Sequence, residues 1–240
     1  PNGDLLFYIG KTDSWGDNAR LLKLGKLRVK LDPAPQTAPF RQELSLVDAT
    51  MKVRYGDGTT LNVWVDANRP AIHVRTESAE PVAATASIEL WRTERFELPS
   101  IECSDIMFDP AQPDKIHAPT IVETDTVLTD LDDRIGWYHH NTKSVGPQVH
   151  AEVQGMTGYP REDPLLHRIF GALVAAPNGR RLDDTHLRSA NGDFDIHVLT
   201  QHPSTPAKWL QALEKLVRPA TDADLAAHRQ WWADFWNRSW

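Results

Sequence analysis

The sequence predicts a mainly β fold, an antiparallel sandwich or barrel followed by two helices. Three observations carry this. Apolar and polar residues alternate with period two through much of the first hundred positions. Turn residues recur every ~8–12 positions, the spacing of all-β domains. In the last forty positions the apolar spacing changes to three and four.

Leu5-Leu6-Phe7-Tyr8-Ile9 is a short apolar strand behind an Asn2-Gly3 turn. Leu27, Val29 and Leu31 alternate with Arg28 and Lys30, giving a half-buried strand. Pro33, Pro35 and Pro39 then form a stiff connection to a less regular candidate, Phe40 to Leu46. Met51, Val53 and Tyr55 alternate up to Gly56-Asp57-Gly58, and Leu61, Val63 and Val65 alternate after it. Asp-Gly between alternating runs signals a hairpin, because such turns need positive φ. Ile72 to Arg75 and Val82 to Trp91 continue the series. Residues 101–135 read as long loops around Pro110, Pro113 and Pro119. Strands resume near 135–138, 149–153, 169–174 and 194–200, with turns at Asn178-Gly179 and Asn191-Gly192.

Thr205-Pro206 reads as an N-cap with proline at the first helical position. Trp209, Leu213, Leu216 and Val217 follow on one face, and Pro219 ends that helix. Thr221 to Asp224 resembles a capping box with Asp in place of Glu. Leu225, His228, Trp232, Phe235 and Ser239 follow at helical spacing, with Trp231 and Trp236 beside them and Trp240 at the end. A stripe this aromatic needs a partner surface. It packs on the sandwich, leads into a further domain, or does both in turn.

The 240 residues carry 26 Lys and Arg against 33 Asp and Glu, a net charge of −7. A phosphate-tracking surface needs the opposite balance, so nucleic acid is not an expected partner. There is no apolar run long enough to span a membrane. Cys103 is the single cysteine and permits neither an internal disulfide nor a cysteine metal cluster. The chain opens at Pro1 without Met or leader, so a processed or truncated terminus is expected and the compartment is not readable from the residues.

Compact catalytic motifs are missing: no Gly-x-Ser-x-Gly, no phosphate loop, no dinucleotide fingerprint, no His-Glu-x-x-His. No catalytic residue, metal or cofactor is therefore assigned. His139 and His140 are strand neighbours and face opposite sides, so they cannot share an ion; His117 and His150 could join either only through the fold. Asp13, Asp17, Asp66, Glu89 and Asp163 lie beside apolar or aromatic residues, but no spacing singles out an acid pair for glycosidic chemistry. The nine Trp are the strongest oddity. Each is either core or a platform for the apolar face of a sugar ring. Two segments combine aromatic surface with planar polar groups. They are Lys11 to Asn18, with Asp13 and Trp15, and Trp137 to Ser144, with Trp137, His139 and Asn141. These five residues are the candidate carbohydrate contacts.

Several stretches carry a family likeness: Asn2 to Trp15, Arg20 to Val29, Trp64 to Pro70, Trp137 to Asn141, Asp163 to Leu166 with Phe170 to Ala172, and Trp232 to Trp240. Together they resemble the N-terminal domain of unknown function 5703. That family looks like the N-terminal half of proteins similar to glycoside hydrolase family 95, the inverting α-L-fucosidases and relatives. The resemblance implies a large antiparallel β-super-sandwich over residues 1–203 and a helical linker over 204–240. It implies a catalytic (α/α)₆ barrel on the same polypeptide as partner, carbohydrate as ligand, and a secreted or periplasmic location. The barrel would supply the catalytic carboxylate. Trp231, Trp232, Phe235, Trp236 and Trp240 would then be the interdomain docking residues. Lys11 to Trp15 takes the place of an Asn-Glu-x-x-Leu-Trp loop near the active-site mouth and departs from it at most positions. Three roles stay open: an accessory domain of a glycoside-hydrolase-like enzyme, a structural interaction domain, and an autonomous carbohydrate-binding module.

Overall fold

A computed structural model describes residues 2–98, 119–159 and 161–239. Cys103, Pro110, Pro113, His117 and Trp240 lie outside the described residues, as does much of the loop reading for 101–135.

The chain forms an antiparallel β-sandwich with C-terminal helices. One sheet has five strands in the order β1 (Leu5–Trp15), β2 (Leu21–Asp32), β7 (Ala83–Glu89), β14 (His186–Ser189) and β13 (Arg180–Arg181). The other has eight: β10 (Thr126–Val127), β11 (Ile135–His140), β12 (Ile169–Ala175), β15 (Phe194–Gln201), β6 (Ala71–Glu77), β5 (Thr60–Val65), β4 (Thr50–Arg54) and β3 (Arg41–Ser45). A small ribbon pairs β8 (Phe96–Glu97) with β9 (Ile121–Val122).

The period-two pattern positions the core. Leu27, Val29 and Leu31 of β2 and Ala84, Ala86 and Ile88 of β7 face Phe170, Ala172, Val174, Phe194 and Ile196 of the larger sheet in one cluster. Each fully buried Leu, Ile, Val or Phe contributes roughly 1.5–3 kcal/mol. The Asp57-Gly58 turn joins β4 to β5, and Gly58 sits at φ 88°, where a side chain would be strained.

A β-bulge sets the first strand pair. Ile9 opposes Gly25 and Gly10 opposes Lys23, so Leu24 has no opposite number. Its carbonyl accepts instead from Trp137 Nε1 at 2.8 Å and from Arg92 Nη2 at 3.1 Å. Gly25 is needed beside it, because a Cβ there would lie 2.6 Å from the Trp137 ring.

One strand reading is corrected. Residues 149–153 belong to a helix, α1 (Gly146–Val153). Pro147 fits its first turn, and Val149 and Ala151 are buried while Val153 is exposed. The short strands β13 and β14 are additions to the series read from the sequence.

The helix starts match their caps. Thr205 caps α2 (Pro206–Glu214), accepting from the Lys208 amide. Trp209 and Leu213 are fully buried on the outer face of β12, against Ile169 and Leu173. Trp209 Nε1 donates to the Leu199 carbonyl at 3.1 Å, and its ring meets Tyr138 at 5.4 Å. Thr221 and Asp224 form the capping box of α3 (Asp222–Ser239): the Thr221 amide donates to Asp224 Oδ2 at 2.8 Å, and the Asp224 amide to Thr221 Oγ1 at 3.3 Å. No helix among the described residues is long and apolar enough to cross a membrane.

Candidate functional site

The loop corner at one end of the sandwich gathers three of the five candidate carbohydrate contacts. The Asn141 amide donates to the Trp15 carbonyl at 2.9 Å and to the Leu165 carbonyl at 3.0 Å. Asp13 accepts from Thr200 Oγ1 at 2.8 Å and pairs with Lys11 Nζ at 2.6 Å. Arg168 clamps the same loop, donating to the Asp13 carbonyl at 3.0 Å. Burial works against the Asp13 carboxylate, but the Lys11 and Thr200 hydrogen bonds outweigh it and hold its pKa below the usual value. Trp15 is 39% exposed, its Nε1 is tied to the Thr12 carbonyl, and its ring lines a surface groove with Pro147 and Leu165.

The other two candidates lie behind this corner. Trp137 is fully buried among core residues. It fills the space left by Gly25 and offers no indole face to a ligand, which corrects its reading as a stacking platform. His139 is 3% exposed, stacks on Phe170 at 5.1 Å and meets Asp125 Oδ1 at 2.9 Å. The same Asp125 oxygen accepts from Arg92 Nε at 2.8 Å. Next to them, burial raises the Asp17 carboxyl above its usual pKa, against the opposing His139 charge. His140 faces the other way, beside His167, and burial lowers its pKa. No group of three or more His, Cys, Asp or Glu among the described residues is placed to hold a metal ion.

The second candidate region is α3. Its rings form two neighbouring i,i+4 rows rather than one stripe. Trp231 stacks on Phe235 with centroids 5.5 Å apart and planes at 6°, and Trp232 lies 6.1 Å from Trp236. Trp236 Nε1 donates to the Leu46 carbonyl at 2.7 Å, which brings the rings against the β3–β4 turn. There Leu44, Leu46 and Val47 are exposed, and Trp231 stays 38% exposed.

These features sit on a sandwich whose sequence matches one family throughout. The sequence model described as Domain of unknown function (DUF5703) matches residues 1–240. The chain belongs to this family. No curated protein matches it. The DUF5703 match thus takes in both the sandwich and the closing helices.

Sequence reasoning missed a buried ionic cluster on the outer face of the eight-stranded sheet of this DUF5703 domain. His73 Nδ1 meets Asp195 Oδ1 at 2.5 Å, and His73 Nε2 lies 3.4 Å from Asp66 Oδ2. Arg75 Nη2 donates to the same Asp195 oxygen at 2.6 Å, and Arg69 Nε to Asp66 Oδ2 at 3.0 Å. Burial disfavours the Asp195 anion, yet the hydrogen bond from His73 and the Arg75 charge bring its pKa below the usual value. The cluster stiffens the sheet under α3. His73 itself is fully enclosed and cannot reach a solvent-borne substrate. A partial signal was present: Phe194, Ile196 and Val198 alternate with Asp195 and His197, which puts the polar pair on one face.

Proposed function

We propose that this DUF5703 domain is the accessory β-sandwich of a glycoside-hydrolase-like, carbohydrate-active protein. It scaffolds a helical catalytic domain and does not cleave the glycosidic bond itself. The observation that carries the reading is the cluster of exposed apolar side chains where α3 meets the β3–β4 turn, with Trp231, Leu46 and Val47 exposed beside the ring rows. Exposed apolar area of this kind marks an interaction surface. Its occupant in this reading is the (α/α)₆ domain suggested by the resemblance to glycoside hydrolase family 95 proteins. The Asp13–Trp15 corner would lend one loop to the sugar site.

The test starts from the parent gene. A helical domain encoded after residue 240 is expected, and that domain, produced separately, is expected to bind residues 1–240. Trp231→Ala with Phe235→Ala should weaken the association at least about tenfold. Aryl glycosides should turn over only with the helical domain present. Turnover by residues 1–240 alone that is lost in Asp13→Asn or Asp66→Asn would overturn the reading, and so would a gene with no helical domain.

A further inference from the structure

A pocket of about 320 Å³ lies between the outer face of the eight-stranded sheet and the first turns of α3. Its floor follows from strand register. Trp64 stands between Thr50 and His73, and Asn62 stands between Lys52 and Arg75, giving two adjacent rungs on one face. Leu225 of α3 supplies an apolar wall.

Several polar groups here have unused hydrogen-bonding capacity. Trp64 is 4% exposed, and its indole N–H is buried without a partner among the described residues. A buried donor left unpaired costs roughly 1–3 kcal/mol and is uncommon in native proteins. Its ring is held by Arg75, 5.6 Å from the ring centroid, and by His73 at 4.9 Å. Asn62 uses its N–H on Glu77 Oε1 at 2.9 Å, which leaves its carbonyl oxygen to accept. Lys52 and Asp222 line the pocket and form no ion pair with described residues.

The charges in the wall balance. Lys52, Arg75 and Arg229 stand against Glu77, Asp193 and Asp222. Such a wall selects neither an anion nor a cation. It offers donors and acceptors in mixture, next to one apolar side chain. The volume is near the lower end of small-molecule sites, roughly 300–1,000 Å³. We propose that this pocket binds a neutral polyhydroxylated ring, a single neutral monosaccharide unit, with Asn62 and Lys52 as its polar contacts. The site sits at the start of α3, clear of the ring rows, so it stands or falls independently of the docking surface.

The test is saturation-transfer NMR with intrinsic fluorescence titration on residues 1–240. The probes are the methyl glycosides of neutral hexoses, 6-deoxyhexoses and pentoses, with glucuronate and inorganic phosphate as anionic comparators. At least one neutral glycoside is expected to bind saturably, while the anions do not. Asn62→Ala and Lys52→Met should each weaken that binding about fivefold or more, with the thermal midpoint retained. No binding by any neutral probe to folded protein would overturn the proposal. So would preferential binding of the anions, or glycoside binding indifferent to both substitutions.

Discussion

The imidazole of His228 donates through Nε2 to the carbonyl oxygen of Asp48 at 2.9 Å, tying α3 to the β3–β4 turn. Its Nδ1 accepts from the Ala67 amide at 3.1 Å. One tautomer satisfies both contacts, the neutral ring with its proton on Nε2. His228 is also fully buried, the only α3 residue in that state among those described. The helix is therefore seated by a polar peg with the aromatic rows on either side of it.

Removing the peg should release the helix before the sandwich. His228→Ala leaves the Asp48 carbonyl and the Ala67 amide unpaired, at a cost of about 2–4 kcal/mol. Hydrogen exchange should rise across Asp222–Ser239 while β2, β7 and β12 keep their protection. Equal loss of protection in the strands would show that α3 and the sandwich unfold as one unit.

The two prominent tryptophans should separate by stability. Trp137→Ala empties a core site and removes the bond to Leu24, costing about 3–5 kcal/mol. Gly25→Ala pushes a methyl into the same ring and should cost about 1–3 kcal/mol. Trp15→Ala, on a 39% exposed ring, should cost about 1 kcal/mol or less. Urea midpoints for the three variants give the order directly.

Acid should weaken the fold through His197. Burial lowers its pKa from the ordinary 6.5 to about 4, against the opposing pull of Asp195; His73, Arg69 and Arg134 act with burial. The unfolded chain takes up this proton below pH 6.5 and the folded chain only near 4. The contribution is thus complete above 6.5 and is lost as pH falls towards 4, on the order of 3 kcal/mol in all. His140, also lowered by burial, adds with the same sign. Denaturant midpoints measured across this window should slope in the wild type and flatten in His197→Gln. A wild type with no slope would remove the argument.

At the loop corner, Asp13→Asn should be mild. Lys11 and Asp13 are partly exposed, so the ion pair is screened and the loss should be about 1 kcal/mol or less. Thr200→Val removes the partner hydroxyl. A double-mutant cycle between Thr200→Val and Asp13→Ala, which unlike Asn leaves no acceptor oxygen, should give a coupling of about 0.5–1.5 kcal/mol. A coupling of zero would mean that the hydroxyl and carboxylate do not meet in solution.

Long regular elements were readable in the sequence because burial repeats along them. The β4–β5 hairpin follows from alternation on both sides of Asp57-Gly58, and both closing helices follow from their caps. The α1 segment misled because Val149, Ala151 and Val153 also fit period two over a span too short to tell. Pro147 at its start was the better signal. β13 and β14 are short and rich in arginine, and they exist because neighbouring strands hold them. The site was readable only in part. Lys11 to Asn18 and Asn141 declare a polar loop by composition, but whether Trp137 faces solvent depends on which side of β11 meets β2. That is a property of packing, as is the meeting of His73 with Asp195.

β12 is buried on both faces from Ile169 to Val174, by the five-stranded sheet on one side and by α2 on the other. An expression boundary drawn at residue 203 would strip that cover and leave Ile169, Leu173 and Tyr138 in water. Such a fragment should precipitate or self-associate, so the smallest soluble unit of this protein must retain the Trp209 helix.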